Sequence, residues 1–121
     1  MATGYGLIGL VLVAGDGSVS PGIHLLTAGA LGLAVYTVIC IAGYTHSGLE
    51  KNGRPWVVVG ACLLGASAVL RALAYWFDPP VLLQLAGLAW CAAFVLQGWQ
   101  MLPVFLRPRQ DGLWGCQGVQ E

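Results

Sequence analysis

The run IHLLTAGALGLAVYTVICIAGYTH, residues 23–46, decides what kind of fold this chain adopts. It is apolar over a length that suits a membrane span, since about 20 such residues cross the hydrocarbon core as a helix. The only two histidines of the chain, His24 and His46, enclose 21 residues without a charge. At a helical rise of about 1.5 Å per residue, their imidazoles would lie about 33 Å apart. The run therefore predicts a transmembrane helix with one metal-binding type of side chain near each face of the membrane.

The rest of the chain is similarly apolar. Of its 121 residues, 58% are hydrophobic and only 8% are charged, and the mean hydropathy is +0.79. Soluble domains carry about 25% charged residues, so this composition predicts that the lipid bilayer is the solvent of the protein. Five basic and five acidic residues give a net charge of zero, so nothing indicates nucleic acid as a partner.

Four apolar segments predict an all-α fold, an integral membrane helical bundle of about four transmembrane segments. They cover about residues 4–15, 21–45, 55–77 and 81–106, so that the bundle occupies residues 1–112 and residues 113–121 form a loosely ordered tail. The first segment is too short to cross the core as an upright helix. A cleaved signal peptide is one explanation, although no basic region precedes the segment. A short, tilted or partly inserted helix is the interpretation that we prefer.

Basic residues predict the orientation of this multi-pass bundle. Lys51 and Arg54 lie between the second and third segments, and Arg107 and Arg109 follow the fourth. In a simple up-and-down path both pairs fall on one side of the membrane, and the positive-inside rule assigns that side to the cytoplasm. The end of the second segment that carries His46 would then be cytoplasmic.

Four polar residues are expected at one depth in the outer half of the bundle. Arg71 lies about 9 Å inside the third segment, where an arginine usually faces the protein interior; snorkelling to the interface is the alternative. His24 and Thr27 lie near the start of the second segment, and Gln84 lies near the start of the fourth. Together they predict a cofactor-binding site in which His24 binds a metal or a haem iron and Arg71 holds an anionic group. A hydrogen bond from His24 to a neighbouring helix is the simpler alternative.

A second candidate metal ligand, His46, lies at the cytoplasmic end of the second segment. A soft copper site made of His46, Cys40 and Cys62 is one hypothesis. The alternatives are a histidine stabilised by the helix C-terminus and thiols that pack as small apolar groups. The chain has no CxxC spacing, no nucleophile–base pair, no paired carboxylates and no glycine-rich phosphate loop. The sequence therefore predicts no catalytic residue.

Several short motifs resemble the C-terminal part of the NnrS family of polytopic bacterial membrane proteins. They are GYGL at residues 4–7, HLLTAGALG at 24–32, THSG at 45–48, GRP at 53–55 and RPRQDG at 107–112. The family pattern TRxxLGHTGR is altered in two ways, because residues 39–44 lack its arginine and residues 49–52 are inserted before GRP. The resemblance covers nearly the whole chain.

This resemblance implies a protein of the bacterial inner membrane that binds haem b or copper. It implies a role in the nitric oxide response or in respiratory electron transfer, with His24 and His46 as candidate ligands. One four-segment unit offers at most one ligand at each face, so a second axial ligand would come from another chain, for example across the axis of a symmetric dimer. Two other hypotheses stay open. One is a non-catalytic accessory subunit that packs against a larger membrane metalloenzyme or respiratory complex, and the other is a transporter fragment.

Overall fold

A computed structural model describes residues 1–15, 19–49, 54–77, 80–108 and 112. The described residues form four helices and no strand: a first helix, Ala2–Ala14; a second, Val19–His46; a third, Pro55–Phe77; and a fourth, Pro80–Leu106. The predicted all-α fold class is therefore confirmed. The expected tail at 113–121 and the loop charges Lys51, Arg109 and Asp78 lie outside the described residues.

Among the described residues, three helices are long and apolar enough to cross a membrane. The second, third and fourth helices contain 28, 23 and 27 residues, and at about 1.5 Å per residue each exceeds the roughly 30 Å of a hydrocarbon core. The first helix has 13 residues and reaches only about 20 Å, so it is the short segment that the sequence predicts. Large apolar side chains such as Val38, Val58 and Val95 are more than half exposed, as expected of a surface that faces lipid.

Small residues let the third helix approach its neighbours closely. Gly65, Ala68 and Ala72 are buried along one face, and the two alanines form a cluster with Leu25 of the second helix. On another face the buried Ser67 hydroxyl donates a hydrogen bond of 2.8 Å to a carbonyl oxygen of the fourth helix. Close backbone approach and interhelical hydrogen bonds are the two means by which helices associate in lipid. The third helix therefore lies at the centre of the bundle.

The main core cluster is built around Tyr36 of the second helix. Its side chain is fully buried and lies directly against Gly60 of the third helix, where an added Cβ would be 2.6 Å from Tyr36 Cζ. Gln97 of the fourth helix is also buried, and its amide nitrogen donates hydrogen bonds to the Tyr36 carbonyl oxygen at 3.2 Å and to Cys40 Sγ at 3.5 Å. These contacts join the second, third and fourth helices in one core.

The first helix docks on the second through a pair of glycines. An added Cβ on Gly9 would lie 2.9 Å from the Gly22 carbonyl oxygen, and one on Gly22 would lie 2.9 Å from the Gly9 carbonyl oxygen. Both contacts involve backbone atoms, which cannot move aside unless the two helices separate. The crossing therefore requires glycine at both positions.

We expect Gly9→Val and Gly22→Val each to destabilise the docking of the first helix by about 1–3 kcal/mol, because the added side chain overpacks the crossing. Gly4→Val is the matched control, since nothing lies within 4 Å of its added Cβ. Thermal unfolding in detergent and protease accessibility of the first helix measure the effect. Equal unfolding midpoints for the Gly9 and Gly4 variants would contradict the proposed crossing.

Candidate functional site

A cleft opens between the second, third and fourth helices. Its main cavity measures about 350 Å³ and adjoins a second one of about 170 Å³. Both cavities are lined by His24, Arg71 and Leu83, so they form one cleft, which we call the His24–Arg71 cleft. Other side chains that line the main cavity are Ala28, Ser67, Ala86, Trp90 and Cys91.

The histidine and the arginine of the cleft lie at about the same depth. His24 comes five residues after the start of the second helix, and Arg71 comes six residues before the end of the third. At about 1.5 Å per residue these positions are about 7.5 and 9 Å from the helix ends. His24 is half-buried and Arg71 is exposed. The antiparallel arrangement of the two helices thus brings an imidazole and a guanidinium into one cleft.

His24 immediately precedes a π-helical segment. The second helix is α-helical over Val19–His24, π-helical over Leu25–Leu31 and α-helical again over Gly32–His46. A π turn closes i→i+5 hydrogen bonds, whereas an α turn contains 3.6 residues. Residues before the segment are therefore rotated about the helix axis relative to those after it. This rotation sets the direction in which His24 leaves the helix, and π segments of this kind occur frequently at functional sites.

Two glycines at the π segment receive aromatic side chains from other helices. An added Cβ on Gly29 would lie 3.0 Å from Tyr5 Cβ and Cγ of the first helix, and one on Gly32 would lie 3.1 Å from the Trp90 ring of the fourth. The same Trp90 ring lines the cleft and packs against Phe94, with 5.0 Å between ring centroids. The packing that holds the π segment is therefore continuous with the wall of the cleft.

Three residues of the main cavity that carry a polar, aromatic or thiol side chain were not predicted from the sequence. Ser67 donates its hydrogen bond to the Ala86 carbonyl oxygen, Trp90 forms an aromatic wall, and the Cys91 side chain is exposed. Ser67 lies four residues before Arg71, and this spacing on a helix could have indicated that both share one face. No sequence spacing indicates that Trp90 and Cys91 line the cleft, because their position depends on which face of the fourth helix packs against the second.

The other two predicted members of the site lie outside this lining. Thr27 is exposed, and its hydroxyl donates a hydrogen bond of 2.8 Å to the Ile23 carbonyl oxygen of its own helix. Gln84 is exposed on the fourth helix, where its neighbour Leu83 lines the cleft instead. The structure therefore brings His24 and Arg71 together and leaves Thr27 and Gln84 apart from them.

The residues of the copper hypothesis are not gathered in the described structure. Cys40 is buried and accepts the hydrogen bond from Gln97, whereas Cys62 is exposed on the third helix. His46 is exposed at the end of the second helix. Among the described residues, no three histidine, cysteine or acidic side chains are close enough to share a metal ion. His46 lies at the other end of the second helix from the cleft, and its role as a ligand stays a prediction.

The fold and the cleft define a class of protein, a helical membrane protein with a mostly apolar cleft between its spans that contains a histidine and an arginine. Comparison with known families assigns it further, since residues 1–109 match the family described as NnrS protein. The chain therefore belongs to the NnrS family, as the sequence motifs predict. No curated protein and no solved structure matches the chain.

We expect deletion of Ala30 to leave His24 in the cleft, because a π segment takes up one extra residue and its removal lets the helix continue as an α-helix with nearly the same rotation. Cross-linking with a short bifunctional thiol reagent tests this. The chain carries His24→Cys together with native Cys91, and its other cysteines are replaced. The pair should cross-link both in the full-length chain and in the deletion variant.

A second cysteine pair serves as the control for this experiment. Arg71→Cys with native Cys91 joins two residues of the same cleft, and neither lies on the second helix. This pair should cross-link with or without Ala30. If both pairs stop cross-linking, the deletion has unfolded the bundle. If the pair at residue 24 stops cross-linking in the deletion variant while the control persists, the π segment does not take up one extra residue before His24.

Proposed function

We propose that this NnrS-family membrane protein binds haem b in the His24–Arg71 cleft and acts in the nitric oxide response or in respiratory electron transfer. The observation that carries the proposal is the presence of a half-buried imidazole and a guanidinium in the lining of one intramembrane cleft. Ionisable residues within membrane spans are rare and usually functional. The family resemblance supplies the cofactor and the biological role.

The residues of the cleft fit a haem in chemistry, and the volume of the cleft lies in the range usual for ligand sites. Ligand sites usually measure about 300–1,000 Å³ and are mostly apolar with a few placed polar groups, and the cleft has a volume of about 350 Å³ in its main part. His24 offers one ring nitrogen to the iron, and Arg71 offers a bidentate donor to a carboxylate such as a propionate. Trp90 and Ala28 supply apolar surface. When bound, haem supplies an iron centre for gas binding or one-electron transfer.

Copper is supported less well by the same donor set. Copper sites use several imidazole or thiolate ligands, and the described residues offer no group of three such donors. His24 and Cys91 both line the cleft, but two donors do not make a closed site for the metal. Haem requires fewer protein ligands, because its porphyrin supplies four nitrogens. The proposal therefore names haem as the cofactor.

A second copy of the chain would complete the site. His24 is the only imidazole in the lining of the cleft, so a second histidine ligand to haem would come from another chain, for example from His24 of a symmetric partner. With His24 as the single histidine ligand, the bound haem would supply a centre for gas binding.

A role as an accessory subunit is the second candidate, and one feature of the fourth helix favours it. An added Cβ would meet nothing within 4 Å at Gly87 or Gly98, and the large apolar side chains Leu88 and Val95 are exposed on the same helix. Exposed glycines on a membrane span suit close packing against a partner helix. Such a subunit would stabilise a larger membrane metalloenzyme or respiratory complex without binding a cofactor itself.

The proposed location is the inner membrane of a bacterium, with the cleft in the outer half. Arg54 and Arg107 lie at the end of the bundle opposite the cleft, and the positive-inside rule places that end in the cytoplasm. The site would then be reached from the outer leaflet or from the periplasmic side. Orientation can be checked by labelling single cysteines at the two ends of the second helix in intact cells.

We expect His24→Ala to abolish the haem absorbance of the detergent-purified protein, because it removes the proposed iron ligand. His46→Ala is the matched control, since it removes the other histidine of the same helix from the far end. Oxidised and dithionite-reduced spectra, with haem content per chain, provide the measurement. A colourless wild-type protein, or equal loss of haem in the two variants, would contradict the proposal and favour the accessory-subunit role.

We expect Arg71→Gln to weaken haem binding by roughly tenfold or more, because a hydrogen bond to a charged group contributes about 1.5–3 kcal/mol. The spectrum of the remaining complex should keep the features of histidine ligation. Gln84→Ala is the control, because Gln84 lies outside the lining and should bind haem as the wild type does. Haem titration of protein produced under haem limitation measures the affinities. An unchanged affinity in Arg71→Gln would remove Arg71 from the site.

A further inference from the structure

A small pocket lies at the end of the bundle opposite the His24–Arg71 cleft. It measures about 50 Å³ and lies between the end of the second helix and the last turn of the fourth. Its lining consists of Ser47, Leu49, Pro103, Val104, Arg107 and Pro108. On the measure in which one water needs about 10–15 Å³, the pocket has room for several water-sized groups. We call it the Ser47–Arg107 pocket.

The backbone at the end of the second helix is closed by its own hydrogen bonds. The Ser47 N–H donates to the Gly43 carbonyl oxygen at 3.2 Å, and the Leu49 N–H donates to the Tyr44 carbonyl oxygen at 3.0 Å. Gly48 makes this possible with a φ of 69°, in the left-handed region that favours glycine. Because these carbonyls are already paired, the partial negative charge at this helix end is reduced. The Ser47 side chain is presented at the pocket by this turn.

The polar groups of the pocket are suited to an oxyanion. Arg107 is exposed and brings a planar guanidinium that binds phosphate in a bidentate manner. Ser47 is half-buried and brings a hydroxyl that donates one hydrogen bond. Leu49, Pro103 and Val104 supply an apolar wall on the side of the membrane span. A ligand with a phosphate attached to an apolar body would contact both parts.

We propose that the Ser47–Arg107 pocket binds the phosphate of an anionic membrane lipid. The pocket lies at the end of the bundle where the basic residues predict the cytoplasmic face. Anionic lipids attract basic residues at that face, and basic pockets between membrane helices bind lipid headgroups there. The proposal is independent of haem binding, because the pocket shares no residue with the cleft.

Arg54 provides a comparison at the same end of the bundle. Its guanidinium carbon lies 4.5 Å from the centroid of the Tyr44 ring, in a cation–π contact. Arg54 does not line the Ser47–Arg107 pocket. It carries the same charge as Arg107 and is also exposed. A general attraction of the basic end for anionic lipid would depend on both arginines, whereas a specific pocket depends on Arg107.

The test is lipid retention by the purified full-length protein, measured by native mass spectrometry and by titration with short-chain lipids. The lipids are phosphatidylglycerol, which is anionic, and phosphatidylcholine, which is zwitterionic. We expect retention of phosphatidylglycerol over phosphatidylcholine. Arg107→Gln should weaken phosphatidylglycerol binding by about tenfold or more, because it removes a charged hydrogen-bond donor. Ser47→Ala should weaken it about threefold to tenfold, because it removes a neutral donor.

Three outcomes would overturn the proposal. Equal retention of the two lipids would show that the pocket does not select an anion. A loss in Arg54→Gln as large as that in Arg107→Gln would show a general electrostatic attraction. Binding of inorganic phosphate alone, dependent on Arg107 and without a preference for the lipid, would assign the pocket to a free anion. Arg107→Lys, which keeps the charge and loses the bidentate geometry, should bind with intermediate affinity, and its unfolding midpoint controls for the fold.

Discussion

Hydrocarbon offers no hydrogen-bond partner to a polar group, and this constraint governs the described structure. The backbone meets it by forming helices over nearly its whole described length. The threonine hydroxyls of the second helix find hydrogen-bond partners within the helix itself. Thr27, Thr37 and Thr45 each donate to the carbonyl oxygen four residues earlier. Ser67 and Gln97 instead find their partners on another helix, since each donates a hydrogen bond to a carbonyl oxygen of a neighbouring span. Ser67 and Gln97 thus link neighbouring helices of the bundle.

His24 and Arg71 are the polar side chains that this arrangement leaves in a cleft. Within the described residues neither makes a hydrogen bond that would account for its presence in an apolar span. An arginine at this depth is costly unless it reaches the interface or meets a partner. The cleft gives Arg71 room for such a partner beside a histidine. A bound haem would offer a propionate to Arg71 and an iron to His24. This is the physical basis for proposing haem.

Glycines placed opposite aromatic rings hold the helices in register around the cleft. Tyr36 lies against Gly60 in the core, Tyr5 lies against Gly29, and Trp90 lies against Gly32. Each ring fills the space that the missing side chain of the glycine leaves, so each pair defines the distance between two helices. The pairs at Gly29 and Gly32 lie at the π segment, and the rotation of His24 therefore depends on side chains of the first and fourth helices.

Much of this architecture could be predicted from the sequence. The apolar segments, their lengths and the prolines at helix starts are local properties, and so is the depth of His24 and Arg71 along their helices. The family motifs are also a property of the sequence, and they led to the family that the chain belongs to. The direction of each side chain around its helix was less accessible. An uninterrupted α-helix through residues 24–32 was the natural expectation, and no composition rule signals a π turn there.

The tertiary structure decided which polar residues share a site. Thr27 and Gln84 lie at the right depth, but Thr27 bonds to its own helix and Gln84 lies outside the cleft. The faces along which the helices pack place Ser67, Trp90 and Cys91 in the lining.

The sequence by itself determined membrane-spanning length, helical structure and depth, because these follow from apolar content and from a rise per residue that every helix shares. Rotation and lateral placement depend on contacts between helices far apart in the chain, and only the packed bundle determines them.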